Sequence, residues 1–335
     1  MSNFDLMERN ETNKNSKGGT ELLQERLYDG SVPRELLEQF QIVCSRLRVL
    51  DETKFRIYWA HDLPGDPESE FLKNGGWNKF HKIVFVSNWQ MQAYINYYGI
   101  PWSHCIVIEN SVYDPRDILA QSDPEGKIRL IYTSTPHRGL NILYPVFDAL
   151  CKKYENVLDL ELNVYSSFKL YGWEQRDEQY RELFNALEAH PKINYYGTAD
   201  NHTVRKALVD SDIFAYPSIW QETSCLCLIE AMQAGLMCVH PNYGALPETA
   251  CGDTMMYQWH EDLNTHANIF FDVLDHTINI VNESNTRYRL AVAANRAIER
   301  HNWPDRGKYW EALMKSIIAQ NPSKTLSKGV FSYGS

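Results

Sequence analysis

The sequence lacks the features that mark several large classes of protein. Its first 30 residues contain no apolar signal-peptide core, and its longest uncharged stretch, residues 231–247, is interrupted by glycine, histidine and asparagine. We therefore expect no secretory leader and no transmembrane segment, while peripheral contact with a membrane stays open. The Walker A and GxGxxG phosphate-binding patterns are also missing.

Positive charge is scarce. The 335 residues include 33 Lys and Arg against 43 Asp and Glu, which gives a net charge of −10. Proteins that bind nucleic acids through the phosphate backbone usually carry a basic face. We therefore expect no nucleic-acid partner.

The seven cysteines are scattered, and they form neither a CxxC pair nor a Cys/His pattern with zinc-ligand spacing. Most of them stand in apolar runs, where a free cysteine behaves as a small hydrophobe. Free thiols are typical of a reducing compartment. We therefore expect a cytoplasmic protein with no bound metal.

Short apolar strands alternate with helical patterns in both halves of the chain, which is typical of an α/β fold built on parallel sheets. The predicted strands cover residues 41–44, 55–60, 82–86, 105–108, 128–133, 160–165, 193–196, 213–216 and 237–239. The predicted helices cover residues 88–98, 142–153, 175–188, 202–209, 226–234 and 305–319. We expect two doubly wound, Rossmann-like domains facing a cleft, with ligands at the carboxyl ends of the strands.

Proline, glycine and charged residues mark a linker at 113–127, between the two halves. We expect an N-terminal domain over 1–118 and a fuller domain over 126–302. A closing helix over 303–320 and a loose tail over 321–335 complete the predicted organisation.

One segment, residues 216–235, combines groups that bind phosphate with groups that bind sugar. A predicted strand is followed by a loop with Glu222, and residues 223–225 then precede a helix that contains Glu230. Backbone N–H groups at a helix start bind anions, and the two carboxylates can accept hydrogen bonds from hydroxyls. A nucleotide-sugar presents both kinds of group. The same pattern also fits a capped helix with two surface glutamates.

Arg138 stands between a predicted strand and a predicted helix. A guanidinium binds phosphate oxygens bidentately, and a cation at a helix start is unfavourable unless an anion is bound there. This position therefore predicts a contact with a diphosphate. An ordinary surface arginine is the alternative.

Glu222 and Glu230 are separated by seven residues and are followed by Ala-Met and Gly. This arrangement resembles the signature of family-4 (group 1) retaining glycosyltransferases, which have the GT-B fold. Other short pieces stand in that family's order along the chain. They are Gly18-Gly19-Thr20-Glu21, residues 87–99, residues 106–112, Ser134-Thr-Pro-His-Arg138-Gly-Leu140, Tyr171-Gly-Trp173, Tyr196-Gly197 and Tyr243-Gly-Ala-Leu-Pro-Glu248. The resemblance is strongest over residues 128–250.

The resemblance implies an activity and a set of site residues. A sugar would pass from a UDP- or GDP-linked donor to an acceptor with retained configuration and without a metal. A glycan, a lipid-linked molecule and a small molecule all stay open as acceptors. The implied catalytic residues are Glu222, Arg138 and His61. The implied donor-binding residues are Glu230, Thr223, Ser224, Cys225, Ser134, Gly19, Tyr165, Gly197 and Lys169, the last as a second phosphate-binding cation.

Several rival interpretations stay open at this stage. Asp210-Ser-Asp212 has the spacing of the metal-binding pair of the other large glycosyltransferase fold, although it also fits the capping of a buried strand. A nucleotide-sugar epimerase or hydrolase, and a non-catalytic sugar-nucleotide-binding protein, would share the same scaffold. The N-terminal domain is short for the family, and the first strand expected before Gly18 is missing.

Overall fold

The computed structural model describes residues 18–44, 47, 49–112 and 126–321. Residues 1–17, nearly all of the predicted linker and the predicted tail beyond residue 321 lie outside these ranges. The chain divides into two compact units, each with its own parallel sheet. Residues 19–110 and the last helix belong to the first unit, and residues 111–302 belong to the second.

The elements of the described residues follow in chain order. The strands are β1 (Phe40–Val43), β2 (Phe55–Trp59), β3 (Lys82–Phe85), β4 (Cys105–Val107), β5 (Ile128–Tyr132), β6 (Leu160–Tyr165), β7 (Ile193–Gly197), β8 (Ile213–Ala215), β9 (Met237–Pro241) and β10 (Met255–Tyr257). The α-helices are α1 (Gly19–Arg26), α2 (Arg34–Leu37), α3 (Asn88–Tyr98), α4 (Leu140–Lys153), α5 (Arg181–Ala189), α6 (Asn201–Val209), α7 (Leu226–Gln233), α8 (Leu246–Ala250), α9 (Leu263–Ile280), α10 (Ser284–Arg300) and α11 (Trp303–Gln320). A π-helical segment covers Leu27–Ser31, and 3₁₀ helices cover Pro67–Leu72, Gly76–Lys79, Trp102–His104, Pro136–Arg138, Phe168–Tyr171 and Glu174–Tyr180.

The first unit is built on four parallel strands in the order β1-β2-β3-β4. Strands β1 and β2 are buried at every position, as expected for a parallel sheet covered on both faces. Helix α3 follows β3, and its Tyr94 packs against Phe85 with the ring centroids 5.2 Å apart. Since the order simply follows the chain, these four strands contain no reversal of strand order.

Helix α11 packs within the first unit, although it ends the described chain. The indole N–H of Trp303 donates to the carbonyl of Arg26 at 2.9 Å and lies 2.7 Å from Ser31 Oγ. Further along the helix, Trp310 meets Trp59 of β2 with a ring separation of 4.7 Å. The closing helix therefore completes the core of the first unit.

The second unit is built on six strands in the order β10-β9-β8-β5-β6-β7, and all of its pairs are parallel. The chain starts in the middle at β5, proceeds outward through β6 and β7, and then returns to the other side at β8. Such a reversal leaves a crevice at the carboxyl ends of the two central strands, where open α/β sheets bind their ligands. In this unit the crevice follows β5 and β8.

The predicted fold class, an α/β fold with two parallel sheets, is confirmed. The predicted strands all form, and their ends differ from the prediction by two residues at most. The predicted helix over 175–188 is wrong in its first half, which is the 3₁₀ helix Glu174–Tyr180. The cause is local: the carboxylate of Asp177 accepts hydrogen bonds from Ser167 and from the Phe168 N–H, which holds this segment against the preceding turn.

Candidate active site

Two loops of the second unit meet at the carboxyl ends of β5 and β8. Gly139 follows the first loop with φ near +111°, and a Cβ atom there would lie 2.0 Å from the carbonyl oxygen of Pro217 in the second loop. Only glycine tolerates both that backbone angle and that approach. The loop after β5 and the loop after β8 are therefore held in direct contact.

Arg138 and Glu222, which stand on these two loops, form an ion pair. Nη1 of Arg138 donates to both carboxylate oxygens of Glu222, at 2.8 Å to Oε1 and 2.9 Å to Oε2. The Glu222 side chain is 3% exposed, whereas the Arg138 side chain is 23% exposed. The carboxylate is thus almost fully buried, and the guanidinium is partly exposed at the surface.

A third side chain completes this buried cluster. The hydroxyl of Tyr216 donates to Glu222 Oε1 at 2.6 Å. Burial and the neighbouring carboxylate of Glu222 raise the pKa of Tyr216 well above its usual value, so the phenol keeps its proton. Oε1 therefore accepts two hydrogen bonds, while Oε2 keeps an unused lone pair.

The loop after β9 fixes the backbone on which Glu222 stands. Gly244 has φ near +61°, and a Cβ atom there would lie 2.7 Å from both the nitrogen and the carbonyl oxygen of Glu222. The next residue, Ala245, donates its N–H to the Glu222 carbonyl at 2.7 Å. This is the segment Tyr243–Glu248 that the sequence pattern singled out, and here it shapes the position of the glutamate.

Helix α7 begins immediately after the loop that follows β8 and carries Glu222. Among the described residues, no side-chain hydrogen bond caps the helix at Cys225, which is buried. The N–H groups of a first turn have no partner inside the helix and carry the positive end of its dipole. Cys227 Sγ lies 3.0 Å from the carbonyl oxygen of Thr133, so the helix start stands beside the loop after β5. Thr223 and Ser224 form the half-buried approach to it.

Glu230, the second glutamate of the pattern, lies one turn further into α7 and is half-buried. Its Oε1 accepts a hydrogen bond from the Asn201 side-chain amide at 3.2 Å. Because Asn201 is the first residue of α6, the contact links the two helices that follow β7 and β8. This hydrogen bond orients the Glu230 carboxylate.

Several buried polar atoms near the ends of β5 and β6 have no hydrogen-bond partner among the residues that the structure describes. They are Thr133 Oγ1, Thr135 Oγ1, His137 Nδ1, Arg138 Nε and Ser166 Oγ. Buried polar groups are normally paired, so a cluster of unpaired ones is a mark of a ligand-binding site. Ser134, also half-buried, stands in the same turn.

Two tyrosines and one glycine of the predicted site lie at the ends of β6 and β7. The rings of Tyr165 and Tyr196 stack with centroids 4.6 Å apart, and their planes differ by 13°. Tyr165 is paired with Gly197 across the two strands, and a Cβ atom at Gly197 would meet no described atom within 4 Å. The open space and the flat aromatic pair suit a planar ring.

Lys169 is less well placed than the sequence suggested. Its Nζ lies 3.3 Å from Glu174, and both side chains are about two-thirds exposed, at 64% and 65%. A surface pair of this kind contributes little. No contact of Lys169 with Arg138 or with helix α7 is present in the described ranges.

Sequence reasoning missed His137, Arg176 and the role of Tyr216. His137 stacks on Phe168 at 5.2 Å and meets the edge of Trp220 at 5.0 Å. Burial and the charges of Arg138 and Arg176 lower the pKa of His137 to about 4, so the ring is neutral near pH 7. The sequence offers one available signal, the aromatic residues Phe168, Tyr171 and Trp173 that precede Arg176.

His61 and Gly19 belong to the first unit and are described there alone. His61 directly follows β2, and its ring lies 4.6 Å from that of Trp59. Burial lowers the pKa of His61 to about 3, so a neutral imidazole stands at the carboxyl end of the first sheet. Gly19 is the first residue of α1.

Asp212 lies at the opposite end of the second sheet. Its carboxylate accepts hydrogen bonds from the Arg129 N–H at 2.9 Å and from the Arg287 side chain at 2.7 Å. Asp210 is the C-terminal cap residue of α6. The Asp-x-Asp spacing therefore marks the entry to β8, as the capping interpretation predicted. Across the described ranges, no three His, Cys, Asp or Glu side chains converge in a metal-ligand cluster.

Comparison with known proteins agrees with this arrangement. Residues 120–254 match the family model described as glycosyl transferases group 1. A glycosyltransferase from Rickettsia africae has a similar fold, with a TM-score of 0.65, 18% identity and coverage of 92% of this chain and 84% of that one. HepE from Anabaena in complex with UDP-glucose has a TM-score of 0.60 at 16% identity, with 78% of this chain and 72% of that one covered.

A further solved structure and two curated proteins are also similar. The α,α-trehalose-phosphate synthase (UDP-forming) from Burkholderia vietnamiensis has a TM-score of 0.62 at 12% identity, covering 79% of this chain and 67% of that one. A phosphatidylinositol N-acetylglucosaminyltransferase subunit from Homo sapiens is 26% identical over 120 residues, which are 36% of this chain and 22% of the human protein. The Arabidopsis thaliana protein of the same name is 22% identical over 152 residues, 44% of this chain and 31% of that protein. The match thus spans less than a third of the length of these curated relatives.

The fold is that of the GT-B glycosyltransferases. Within the second unit, residues 120–254 match the glycosyl transferases group 1 model, which confirms the resemblance seen in the sequence. No helix among residues 18–112 and 126–321, so far as they are described, is long and apolar enough to cross a bilayer.

Proposed function

We propose that this protein is a retaining glycosyltransferase that takes a sugar from a UDP- or GDP-linked donor without a metal ion. The carrying observation is the buried Arg138–Glu222 pair beside the uncapped start of α7, at the point where the strand order of the second sheet reverses. These groups offer a cation and N–H donors to a diphosphate, and carboxylate oxygens to sugar hydroxyls.

The proposed roles divide along the donor molecule. Glu230 accepts from the ribose hydroxyls, and the stacked Tyr165 and Tyr196 lie against the base. Arg138 and the N–H groups at the start of α7 stabilise the negative charge that grows on the departing diphosphate, which is electrostatic catalysis.

Glu222 has two tasks in this account. Its Oε1 is occupied by Arg138 and Tyr216, so it holds the guanidinium in place. Its Oε2, with one unused lone pair, accepts from a hydroxyl of the transferred sugar. His61, neutral at physiological pH, is the residue to which the family resemblance assigns a further sugar hydroxyl.

The chemistry proposed is a front-face substitution at the anomeric carbon. The bond from that carbon to the diphosphate oxygen breaks while the acceptor oxygen bonds to the same face. The departing diphosphate takes the acceptor's proton, so no protein general base is needed.

The test is a transfer assay with the full chain, UDP- and GDP-sugars and a panel of glycan, lipid-linked and small acceptors. We expect NMR to show a product with the donor's anomeric configuration, at a rate that EDTA leaves unchanged. A product of inverted configuration, or complete loss of transfer in EDTA that Mg²⁺ restores, would overturn the mechanism. An isomerised sugar formed without an acceptor would identify an epimerase.

A further inference from the structure

The charge of the donor site does not balance with Arg138 alone. The dianionic diphosphate of a nucleotide-sugar needs positive charge around it, yet both Glu222 oxygens lie within 2.9 Å of the Arg138 guanidinium. The ion pair is close to neutral as a whole. The dipole of α7 supplies only about half of a positive charge. A second cation near the loop after β5 would balance this charge.

Arg176 is a cation that stands after β6, close to the loop after β5. It stands in the 3₁₀ helix Glu174–Tyr180, which Asp177 anchors to the turn after β6. Its guanidinium lies over the ring of Trp173 at 4.4 Å and at 5.9 Å from the ring of Phe168. Within the described part of the chain, no carboxylate forms an ion pair with it, so its charge is not neutralised.

Phe168 and His137 connect Arg176 to Arg138. Phe168 stacks on His137 at 5.2 Å with an angle of 17° between the planes, and His137 is the residue before Arg138. The pKa of His137 is lowered by burial and then by the charges of both arginines, which places both of them near the same ring. A neutral histidine thus stands between two cations.

The contact with the Trp173 ring holds the Arg176 guanidinium in place. A guanidinium held over an aromatic ring by its π face still has N–H groups that can bind phosphate oxygens. Lys169, the cation that the sequence suggested, is instead paired with Glu174 at 3.3 Å. The geometry favours the arginine.

We propose that Arg176, held on Trp173, is the second cation that binds the diphosphate of the nucleotide-sugar; this inference rests on the function proposed above. Arg138 then contacts one phosphate from the β5 loop, and Arg176 contacts the diphosphate from the turn after β6. Arg176 thus takes the role of second phosphate-binding cation that the sequence resemblance assigned to Lys169.

The test compares a nucleoside with its diphosphate. UDP and uridine, and in parallel GDP and guanosine, are titrated into the full-length wild type, Arg176→Gln, Arg176→Lys and the matched control Arg181→Gln. Arg181 is an exposed arginine five residues further on, paired with Glu178. We expect Arg176→Gln to weaken the diphosphate about tenfold or more, as for loss of one charge-assisted hydrogen bond of about 1.5–3 kcal/mol. The free nucleoside should bind as before.

The two other variants separate charge from structure. Arg176→Lys should recover part of the lost affinity, because it keeps the charge but loses the planar fork. Arg181→Gln should match the wild type. An equal loss for nucleoside and diphosphate in Arg176→Gln, or unchanged diphosphate affinity, overturns the role of Arg176 while leaving the proposed function standing. A wild type that binds neither diphosphate overturns the proposed function itself, and the role of Arg176 with it.

Discussion

Arg138 and Glu222 form a two-bond ion pair inside the second unit, although 84 residues separate them in the sequence. Because the Glu222 carboxylate is 3% exposed, loss of its partner leaves a buried negative charge. We expect Arg138→Leu to lower the free energy of unfolding by about 3 kcal/mol or more in urea denaturation.

The control for this change is a pair of similar chemistry on the surface. Arg34 and Glu38 form an ion pair with side chains 47% and 48% exposed. Arg34→Leu should change the free energy of unfolding by about 1 kcal/mol at most. If both substitutions have the same small effect, the Arg138 pair is not a buried one.

Tyr216 orients the same carboxylate through its hydroxyl. We expect Tyr216→Phe to lower kcat by about tenfold or more, since a hydrogen bond to a charged group contributes about 1.5–3 kcal/mol. KM for the donor should change less, because the lost bond does not touch the donor. Tyr288→Phe, at a side chain 70% exposed, is the matched control. Equal kcat in Tyr216→Phe and wild type would remove Tyr216 from the account.

Substitutions at Gly244 and Gly99 distinguish the cost of a left-handed backbone from the cost of a specific clash. Gly244 and Gly99 have nearly the same φ, +61° and +67°, but a Cβ atom at Gly99 meets no described atom within 4 Å. Gly99→Ala should cost about 1–2 kcal/mol of stability from the left-handed conformation alone, with activity intact. Gly244→Ala should cost more and abolish transfer, because its Cβ displaces the Glu222 backbone. Matching stability and activity in the two variants would show that the loop after β9 does not hold Glu222.

His240 makes stability depend on pH in a defined window. It is buried, with Nε2 2.8 Å from Thr254 Oγ1, and burial lowers the pKa of His240 from 6.5 to about 4. Between these values the unfolded chain binds a proton that the folded chain does not. Stability that is complete above pH 6.5 is therefore lost as the pH falls toward 4. The loss is at most about 3 kcal/mol for this group.

The measurement is the unfolding free energy at several pH values for His240→Asn and for His276→Asn, an exposed control. We expect His240→Asn to flatten the acid slope, whatever its stability at neutral pH, and His276→Asn to keep the slope of the wild type. Parallel slopes in all three proteins would contradict the burial of a neutral His240.

The sequence predicts the strands of this fold because parallel strands are buried on both faces and appear as short apolar runs. Strand β10 was missed because it has only three residues and one of them, Met256, is exposed, so it carries little pattern. Helix α10 was also missed, and it buries only Ala297 and Ile298. Helix α9 was missed as well, although Phe270, Leu274 and Ile278 recur at helical spacing on its buried face. The strand order, which creates the crevice, depends on pairings that no local pattern contains.

The candidate site divides in the same way. Glu222, Glu230 and Arg138 are candidates from the sequence because each stands in a recognisable segment near a strand end or in a helix. That Arg138 and Glu222 touch was not foreseen, since the contact arises from two loops that Gly139 and Gly244 bring together. Arg176 is not a candidate from the sequence, because its position depends on contacts with Trp173 and, through Phe168, with His137. Only the fold brings these rings together.

Every role proposed above depends on the binding of a nucleoside diphosphate by the second unit through Arg138. The most direct measurement is calorimetric titration of UDP and of GDP into the wild type and into Arg138→Met. One of the two diphosphates should bind the wild type, and Arg138→Met should weaken that binding about tenfold or more, as for the loss of a charge-assisted hydrogen bond. Absence of binding for both diphosphates, or equal affinity in the wild type and Arg138→Met, would contradict it.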